Sequence, residues 1–450
     1  MASYAIEQDA VGRFGLDVER IRRGYYTDQY FNNVRRVLEA LASEGYRYGG
    51  LSPPAEVGDR EISEAAVGDM EVDLQVFTRR EPFSIIAGVE CALAVIASCT
   101  GHFNDVGDFV STADRLNVRA GRDGMRVRPW LPVLRIAGRY RDFGILETVV
   151  LGILTRSTLV ATNTYEMLCA TGGKAVFFFP ARFDLYQTQI FDGVAYKVGV
   201  EAYNRDHGAE VPVLISTDAQ GAAWDQPGTG TMSHSYLLCF LRDTAEATVH
   251  FARFLPRDVR RVALVDVNND CVGDTVRAAR AMFEEHRRCL EAGEKEEAEC
   301  FVLYGVRADT ASELRDVSVE PTGDEREDCG VCPRLVWRIR EALDLLAADP
   351  AIAPAWRERA GEYFRNIRII VSGGFNPERA ATFERLGVPV DSYGVGSWLF
   401  RGGNNDFTAD VVRVKVGGRW RDLAKEGRRP IENPDLQKVV LGAETARTAK

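Results

Sequence analysis

From about residue 140 onward, short apolar runs alternate with longer segments of helical period. The apolar runs are KAVFFFP, VPVLIS, RRVALVDV, CFVLYGV, IRIIVSGG and VDSYGVG. Nearly continuous apolar runs are typical of strands that are buried on both faces, as in a parallel sheet covered by helices. Six such units predict an α/β fold, either a barrel or a doubly wound sheet.

The first part of the chain has a different pattern. A helical period in QYFNNVRRVLEALASEG and in EPFSIIAGVECALAVIAS is combined with strand-like pieces such as MEVDLQVFT and MRVRPWLPVLRI. We therefore expect an α+β N-terminal domain over residues 1–135, followed by the α/β domain over 136–412. Residues 413–450 form a C-terminal extension, which we expect to pack back on the N-terminal domain and then to fray, because its end is polar.

Polar and glycine residues directly follow several of the predicted strands. In both α/β architectures the carboxyl ends of the strands meet at one edge, where the loops carry the chemistry. The candidates are Arg182 and Asp184, Asp266 with Asn268 and Asp270, Arg307 and Asp309, Ser372, Gly373 and Gly374, and Gly394 with Gly396. Although they come from separate parts of the chain, these residues are expected to face a common mouth.

Composition and charge limit the classes of function. The chain has 450 residues, of which 46% are hydrophobic and 27% are charged, so two or three domains with a large core are expected. A net charge of −10 leaves no broad basic face for nucleic acid or anionic lipid. An anionic substrate would instead need a local cluster of arginines.

No targeting or membrane segment is predicted. The first residues, MASYAIEQDAVGRFG, lack the basic start and the apolar run of a signal peptide. The most apolar segment, FGILETVVLGIL, contains Glu147 and is too short to span a bilayer. We therefore expect a cytoplasmic location.

The cysteines predict neither a disulfide framework nor a metal site. Nine cysteines in a chain of this length are not typical of a secreted disulfide scaffold. Cys329 and Cys332 have the spacing of zinc ligands, but no second pair completes the usual set of four. We interpret this pair as a loop that leads into a helix with Pro333 in its first turn, and we expect no metal-ligating set of side chains.

Two strand ends that are rich in glycine are candidates for binding phosphate. In IIVSGGFNPE and DSYGVGSWL an apolar run stops at small residues before a turn or helix begins. Backbone N–H groups released by such turns bind phosphate, although glycine at a strand end is often only turn chemistry. Neither loop has the spacing of a Walker loop or a dinucleotide motif. Their occurrence on consecutive strands favours a phosphate site.

Arginine and aromatic side chains at other positions suit a flat anionic ligand. In VRADT, Arg307 and Asp309 point to one face if the strand is still extended, where they would bind an anion and ribose hydroxyls or form an internal salt bridge. In FFFPAR, Arg182 follows three phenylalanines, which either stack on a ring or belong to the core. Tyr30 in YTDQYF is another exposed-aromatic candidate, or part of a capped helix start.

His234 lies in GTGTMSHSYLLCF, between a glycine-threonine loop and an apolar helical run. A lone histidine near a helix start is by itself usually structural. Imidazole is also a suitable nucleophile near neutral pH, and the loop before it would let phosphate approach. The residues alone leave both roles open.

These pieces occur in one order, and in that order the sequence resembles the nicotinate phosphoribosyltransferase family. This family belongs to the type II phosphoribosyltransferases, which also include nicotinamide phosphoribosyltransferase. The shared motifs are TDQYF, ILTRSTLVAT, FPAR, GTMSHS, ALVDV, GVRADT, VSGGF, YGVGSWL and AKEG, from about residue 26 to about residue 427. The resemblance implies an irregular parallel α/β barrel preceded by the α+β domain.

The resemblance also implies a reaction. Members of the family transfer the phosphoribosyl group of PRPP to the pyridine nitrogen of nicotinate and release pyrophosphate, a step of NAD biosynthesis. The nicotinate enzymes couple it to ATP hydrolysis through a phosphorylated histidine, which corresponds to His234. Arg307 and Asp309 correspond to the arginine near the ring and the acid that holds the ribose. The implied cofactors are ATP and Mg²⁺, the latter accompanying the pyrophosphate.

Binding residues follow from the same resemblance. Phe179 and Arg182 correspond to the residues that contact the pyridine ring and its carboxylate, and Tyr30 to an aromatic contributed by the partner subunit. The loops for the 5-phosphate of PRPP correspond to Ser372, Gly373, Gly374, Gly394, Gly396 and Ser397. The implied assembly is a homodimer or higher homo-oligomer with the active site at the subunit interface.

Some residues depart from the family pattern. Phe183 stands where many nicotinate enzymes have a second arginine, and Ser397 replaces a commoner threonine. Phe183 puts the base in doubt more than the reaction, so nicotinamide or another pyridine base stays an alternative, as does a non-catalytic ligand-binding homologue. The expected partners are small molecules (nicotinate, PRPP and ATP), with neither nucleic acid nor membrane.

Overall fold

A computed structural model of the chain describes residues 3–5, 9–52, 65–402 and 405–441. By contacts the chain separates into two units, one of residues 1–162, 190–202 and 402–450, the other of 163–189 and 203–401. This division does not follow the predicted boundaries at 135 and 412, because one long helix belongs to both units and the strand that begins at Phe407 pairs in the sheet of the first. The predicted fraying concerns residues 442–450, which lie outside the described residues.

The helices and strands are numbered in chain order. The helices are α1 Ala10–Arg13, α2 Val18–Arg22, α3 Gln29–Ser43, α4 Val89–Cys99, α5 Tyr140–Phe143, α6 Glu147–Ala170, α7 Gln189–His207, α8 Asp218–Gly221, α9 His234–Cys239, α10 Thr244–Phe254, α11 Cys271–Glu291, α12 Lys295–Cys300, α13 Glu325–Asp328, α14 Pro333–Ala347, α15 Arg357–Arg365 and α16 Pro377–Arg385. The strands are β1 Ser3–Ala5, β2 Glu71–Thr78, β3 Ser84–Ile85, β4 Gly101–Phe103, β5 Phe109–Ser111, β6 Asn117–Ala120, β7 Arg126–Val127, β8 Leu134–Arg139, β9 Ala175–Phe178, β10 Leu214–Ile215, β11 Arg261–Leu264, β12 Leu303–Ala308, β13 Arg368–Val371, β14 Ser392–Val395, β15 Phe407–Val416, β16 Arg419–Asp422 and β17 Gln437–Val440.

The first unit is built on a seven-stranded sheet in the order β1-β17-β6-β8-β2-β15-β16. Every neighbouring pair is antiparallel except β1 and β17. Buried residues of α4, such as Leu93 and Ile96, form one core cluster with sheet residues such as Leu74 and Val118. The predicted α+β N-terminal domain is therefore confirmed.

The apolar stretch from residue 81 to 98 is helical only in its second half. Ser84 and Ile85 form the short strand β3, and α4 begins at Val89. Gly88 separates them with a φ of 87°, a left-handed conformation that glycine adopts without steric cost. The apolar spacing alone did not reveal this break, because buried strands and buried helices both read as apolar runs.

The second unit contains a six-stranded parallel sheet in the order β10-β9-β14-β13-β12-β11. Each of the six predicted apolar runs contains one of these strands, and helices lie between consecutive strands in the chain. The strands are mostly buried, as parallel strands covered by helices should be. The prediction of an α/β fold with parallel barrel strands is confirmed.

The sheet curls as a half-barrel. β10 and β11 are its end strands, and no pairing joins them within the described ranges. β10 has only two residues, Leu214 and Ile215, so it offers little edge for a further partner. The carboxyl ends of all six strands lie at one edge, because every pair in the sheet is parallel.

The apolar segment that contains Glu147 extends further than its sequence pattern indicated. The stretch Tyr140–Ala170 is long and apolar enough to cross a membrane by length and composition alone, so the argument that it is too short was wrong. Half of its most apolar window is buried inside the protein, and a core helix of a soluble protein passes the same test. The cytoplasmic location stays a prediction.

Glu147 introduces a carboxyl group into the first unit at the start of α6. Burial raises the pKa of Glu147 to about 7, and the negative charges of Asp410 and Asp28 act in the same direction. The folded protein therefore holds the Glu147 proton more tightly than the unfolded chain, whose glutamates titrate at about 4.3. The free energy of unfolding should fall as the pH rises from about 4.3 to about 7.

Glu147→Gln should remove this pH-dependent loss. We expect the variant to be more stable than the wild type by about 3 to 4 kcal/mol at pH 8 and nearly equal to it at pH 4.5. Urea denaturation at the two pH values measures the difference. Glu44→Gln, at an exposed position, is the matched control and should show no such difference. An equal effect of Glu147→Gln at both pH values would contradict the assignment.

Candidate active site

A cavity of about 700 Å³ lies at the carboxyl ends of the parallel strands in the second unit. Its volume is in the range typical of small-molecule sites. It is lined by Phe179, Ala181, Arg182, Phe183, Ser216, Thr229, Gly230, Thr231, Met232, Ser233, His234, Ser235, Arg307, Asp309, Ser372, Gly373, Gly374, Phe375, Asn376, Gly394, Gly396, Ser397, Trp398 and Arg401. Eleven of the twelve residues to which the family resemblance assigned a role are therefore brought together at one cavity, and their individual roles stay predictions. Asp184, Asp266, Asn268 and Asp270, which were also expected at the common mouth, are not among the residues that line it.

His234 is the first residue of α9. Ser233 caps this helix, because its hydroxyl accepts a hydrogen bond from the N–H of Tyr236 at 3.3 Å. The Nε2 atom of His234 lies 2.8 Å from Oδ2 of Asp266, which follows β11. The imidazole is 45% exposed, whereas the carboxylate is 8% exposed. The histidine thus lines the cavity and the aspartate holds it from the buried side.

Asp266 sets the state of this imidazole. Burial raises the pKa of Asp266, and the hydrogen bond from His234 opposes that rise. Its second oxygen, Oδ1, is buried and has no hydrogen-bond partner in the described part of the chain. A buried carboxylate is stabilised by an N–H donor, so it favours the tautomer that carries a proton on Nε2. The lone pair of His234 then resides on Nδ1.

Arg307 and Asp309 both line the cavity from the end of β12. The Oγ of Ser372 donates a hydrogen bond of 2.7 Å to Oδ1 of Asp309, and this bond links the ends of β12 and β13. Arg307 donates from Nη2 to the backbone oxygen of Met232 at 3.0 Å. Asp309 is thus oriented by a neighbouring loop, and the two residues do not neutralise each other through a salt bridge of their own.

Arg307 carries a charge that is poorly compensated. Burial lowers the pKa of Arg307, the charge of Arg182 acts in the same direction, and Asp309 and Asp266 oppose them. Its Nε atom is buried without a hydrogen-bond partner among the described residues. A buried guanidinium in this state is stabilised by an anion that enters the cavity.

The turn after β13 has two glycines in the left-handed conformation. Gly373 and Gly374 have φ values of 89° and 74°, which glycine adopts without steric cost. Arg379 holds this turn by donating to the backbone oxygens of Gly373 at 2.6 Å and Val331 at 2.7 Å. Asn376 caps α16 directly afterwards. Successive backbone N–H groups at such a turn, next to a helix N-terminus, form an anion-binding concavity.

Glycine is required at the end of β14, at positions 394 and 396, for a different reason. Gly394 and Gly396 have no left-handed φ. A Cβ at Gly394 would lie 2.6 Å from Cε2 of Phe179, and one at Gly396 would lie 2.7 Å from Cε2 of Phe183. The missing side chains therefore let two phenyl rings lie directly against the strand end. The sequence pattern indicated a phosphate loop here but not this close aromatic packing.

Positive charge predominates around the cavity. Arg182, Arg307 and Arg401 line it, against the single carboxylate of Asp309. Arg182 is exposed, and its guanidinium carbon lies 5.4 Å from the centre of the Phe183 ring. The local cluster of arginines that an anionic substrate requires in an acidic protein is therefore present.

Tyr30 is the one residue with a role implied by the resemblance that does not line this cavity. It belongs to the first unit, in the first turn of α3, where the residue is 58% exposed. Val34 and Val37 follow at helical spacing and are 39% and 58% exposed. The role of Tyr30 in covering a pyridine ring stays a prediction.

Sequence reasoning overlooked three contributors to the site. Asp266 was one of several polar residues after strands, and nothing in its own motif identified His234 as its partner. Arg379 lies within a helical segment, where an arginine is usually solvent-exposed. Arg401 follows the YGVGSWL motif by two residues and has no local signal. Only Asp266 had a usable signal, namely its position at a parallel strand end.

Comparison with known proteins supports the fold and the motifs. A family profile described as quinolinate phosphoribosyl transferase, N-terminal domain, matches residues 61–158. A nicotinate phosphoribosyltransferase of Mycobacterium tuberculosis is 25% identical over 292 residues, which are 64% of this chain and 51% of that protein. The chain thus spans about half the length of this relative.

Two solved structures have a similar fold. The nicotinate-nucleotide pyrophosphorylase of Pyrococcus furiosus has a TM-score of 0.62 and 24% identity, covering 92% of this chain and 80% of its own. The human nicotinic acid phosphoribosyltransferase has a TM-score of 0.53 and 16% identity, covering 88% of this chain and 76% of its own. At these identities the structural similarity is evidence for the fold alone.

The similarity to these proteins is supported by several findings together. The motifs occur in the expected order, and residues of several motifs line one cavity at the strand ends. The sequence comparisons and the structure comparison both identify phosphoribosyltransferase-type proteins as similar. The chain is similar in sequence to a nicotinate phosphoribosyltransferase and has the fold of these two solved structures.

Proposed function

We propose that this protein transfers the phosphoribosyl group of PRPP to the ring nitrogen of nicotinate, releasing nicotinate mononucleotide and pyrophosphate, with ATP hydrolysis coupled through a phosphorylated His234. The observation that carries the proposal is the single cavity that brings the His234–Asp266 pair, the Asp309–Ser372 pair and both glycine-bearing strand ends together. The names of the relatives support the same activity.

PRPP would bind across the ends of β12, β13 and β14. The 5-phosphate would accept hydrogen bonds from the backbone N–H groups after β13 and β14, with Ser372 and Ser397 beside them. Asp309 would accept hydrogen bonds from the ribose hydroxyls, and Ser372 keeps that carboxylate in place through its bond of 2.7 Å. This arrangement fixes the sugar so that its anomeric carbon faces the rest of the cavity.

The pyridine base would bind beside Phe179. Its ring would stack on the phenyl group, one face of which stacks on Phe177 at 5.5 Å between ring centres, so that the other face is the one left for the base. Arg182 would bind the carboxylate of nicotinate, and Arg307 would place positive charge near the ring. The guanidinium carbon of Arg307 lies 5.9 Å from the centre of the Phe179 ring, close enough to contact the same ligand.

The reaction needs positioning more than acid–base catalysis. The pyridine nitrogen attacks the anomeric carbon as the bond to the pyrophosphate oxygen breaks, and the transition state has oxocarbenium character. The ring nitrogen already has a free electron pair, so no general base must remove a proton. The arginines of the cavity would stabilise the charge that develops on the leaving pyrophosphate.

Coupling to ATP would use the free nitrogen of His234. Because Asp266 engages Nε2 at 2.8 Å, Nδ1 is the atom that would attack the γ-phosphoryl group of ATP and release ADP. The phosphorylated imidazole would be held by the same aspartate until water removes the phosphoryl group.

Magnesium would accompany the pyrophosphate of PRPP. In the described part of the chain, no group of three or more His, Cys, Asp or Glu side chains is placed to hold a metal ion. Magnesium typically retains several waters and binds substrate phosphates, so a cage of protein ligands is not required. Asp309 is the carboxylate of the cavity that is available to it.

We also propose that the active unit is a homodimer in which Tyr30 of one copy reaches the base of the other. The exposed stripe of Tyr30, Val34 and Val37 on α3 supports it, because apolar residues at this spacing form one face of a helix. The two copies would then share each active site.

Nicotinamide or another pyridine base remains the alternative substrate. Phe183 occupies the place of a second arginine and lies against Gly396 at the cavity wall, so the slot has one cation fewer than many nicotinate enzymes. A non-catalytic homologue is the further alternative. It is disfavoured by the polar pairs at His234 and Asp309, which a binding protein would not need.

The test is incubation with PRPP and Mg²⁺ and, in turn, nicotinate, nicotinamide or quinolinate, each with and without ATP. We expect mass spectrometry to detect nicotinate mononucleotide from nicotinate, formed faster when ATP is present. Product from another base only would shift the assignment to that base. No mononucleotide from any base would reject the proposed transferase activity.

His234→Ala should remove the ATP-dependent gain in rate and leave slow basal transfer. Asp266→Asn should give the same phenotype in weaker form, with the ATP-stimulated rate roughly 100-fold lower, because the tautomer of His234 is no longer fixed. Initial rates with and without ATP measure both effects. His207→Ala, at an exposed histidine, is the control. Equal loss with and without ATP in His234→Ala would contradict the phosphohistidine role.

Two glycine substitutions should separate base binding from PRPP binding. Gly394→Ala forces Phe179 to move, because its Cβ would lie 2.6 Å from that ring, so KM for the base should rise roughly tenfold or more. Gly373→Ala has ordinary space, with its nearest atom at 3.4 Å, but a strained φ of 89°, so KM for PRPP should rise instead. Steady-state kinetics with each substrate varied measures the split. A reversed pattern would refute these assignments.

A further inference from the structure

The second unit has an exposed apolar surface beside α10. We use the term α10 patch for the residues Tyr236, Phe240, His250, Phe251, Phe254 and Leu255, which line a groove of about 340 Å³, together with the exposed Leu241, which precedes α10 by three residues. None of these residues lines the proposed active site. The patch therefore needs an explanation of its own.

Three aromatic rings in the patch stack on one another. His250 stacks between Phe240 at 5.7 Å and Phe254 at 5.9 Å, measured between ring centres. Phe254 is nevertheless 76% exposed, and Leu241 is 90% exposed. Rigid aromatic side chains that are ordered but exposed are typical of interface anchors, since little conformational entropy is lost on binding.

The backbone holds Leu241 outward. Leu241 and Arg242 have φ values of 54° and 70°, so two consecutive non-glycine residues are left-handed. This conformation costs free energy, and it persists only where neighbouring contacts hold it. Asn268 donates from Nδ2 to the backbone oxygen of Arg242 at 3.1 Å. An apolar side chain that a strained turn holds in solvent indicates that another molecule covers it in the assembled protein.

Charges along the exposed face of α10 are arranged with opposite signs at its two ends. Glu246 lies in the first turn of α10 and Arg253 in its last turn, and both are exposed. His250 lies between them. If a second α10 is laid antiparallel on the first, with a two-fold axis near His250, each acidic end meets the basic end of the other copy. The face is thus complementary to itself, as an isologous contact requires.

The size of the patch is sufficient for such a contact. The exposed apolar side chains of the α10 patch present roughly 400 Å² of surface, which is within the roughly 300 to 600 Å² of the largest patch on a typical monomer. Pairing two copies would bury about 800 Å², and the charged rim would bring the total near the roughly 1,200 Å² at which specific interfaces begin.

We propose that the α10 patch is an interface between two copies of this chain, with their α10 helices antiparallel across a two-fold axis near His250. Leu241 and Phe254 of each copy enter the groove of the other, and Glu246 pairs with Arg253 of the other copy. This surface is separate from the stripe on α3, and the inference does not depend on the proposed chemistry.

The first test removes the apolar anchors. The double variant Leu241→Asp, Phe254→Asp should have half the mass of the wild-type assembly in sedimentation velocity at micromolar concentration. Leu345→Asp is the matched control, because Leu345 is a 67% exposed leucine on α14 of the same unit, and its assembly should be unchanged. Thermal melts establish that all variants are folded. An unchanged mass for the double variant would overturn the proposal.

The second test uses the charges. Glu246→Arg and Arg253→Glu should each weaken the association roughly tenfold or more, because each places like charges across the axis. The combined variant should recover the wild-type association to within a few-fold. Arg253 also contacts Glu285 at 3.4 Å within the same copy, and the combined variant does not restore that pair. Recovery would therefore report the contact between copies, whereas failure to recover would contradict the antiparallel arrangement.

Discussion

Parallel pairing of the strands in the second unit is the constraint on which the site depends. In the register of the sheet, Ala308 pairs with Val371, Val371 with Tyr393 and Val395 with Phe178, so β12 and β13 end level with each other, and β14 and β9 end together two residues further on. The residues that follow them, 309, 372, 396 and 179, must then lie at one rim. Because side chains alternate between the faces of a strand, a slip of one residue in β12 would turn both Arg307 and Asp309 away from the cavity. The hydrophobic burial that fixes this register therefore also fixes the positions of the polar groups.

Buried charge gives the cavity its chemical character. The protein as a whole is acidic, but its cavity is lined by three arginines and one aspartate, of which Arg182 and Arg401 are exposed and Arg307 is the more buried cation, less screened by water. The negative charge of Asp266 fixes the tautomer of His234. The positive charge of Arg307, near the Phe179 ring, favours the binding of an anion. Burial destabilises the charge of both groups, but they are stabilised in different ways: Arg307 would be stabilised by the anionic groups of the proposed substrates, whereas Asp266 is stabilised by the N–H of His234. The charges of the cavity therefore favour the binding of anionic substrates.

The sequence predicted those features that depend on local pattern. Six apolar runs predicted the six parallel strands, and the glycines and polar residues at or after their ends predicted eight residues of one cavity, to which the family resemblance added Phe179, His234 and Ser397. Contacts between distant segments could not be predicted. Nothing local pairs Asp266 with His234, places Phe183 over Gly396, or directs Arg379 to the turn after β13. The strand β3 before α4 and the full length of the helix that contains Glu147 were also missed, because apolar runs of strands, core helices and membrane helices look alike in a sequence.

The central claim is that one rim of the half-barrel binds a sugar phosphate beside an aromatic slot. A crystal structure of the protein with PRPP and nicotinate bound tests it most directly. The account predicts the 5-phosphate at the backbone N–H groups after β13 and β14, the ribose hydroxyls at Asp309, the base on Phe179, and Nδ1 of His234 open toward the phosphates. PRPP bound elsewhere, or a base held far from Phe179 and Arg182, would contradict it.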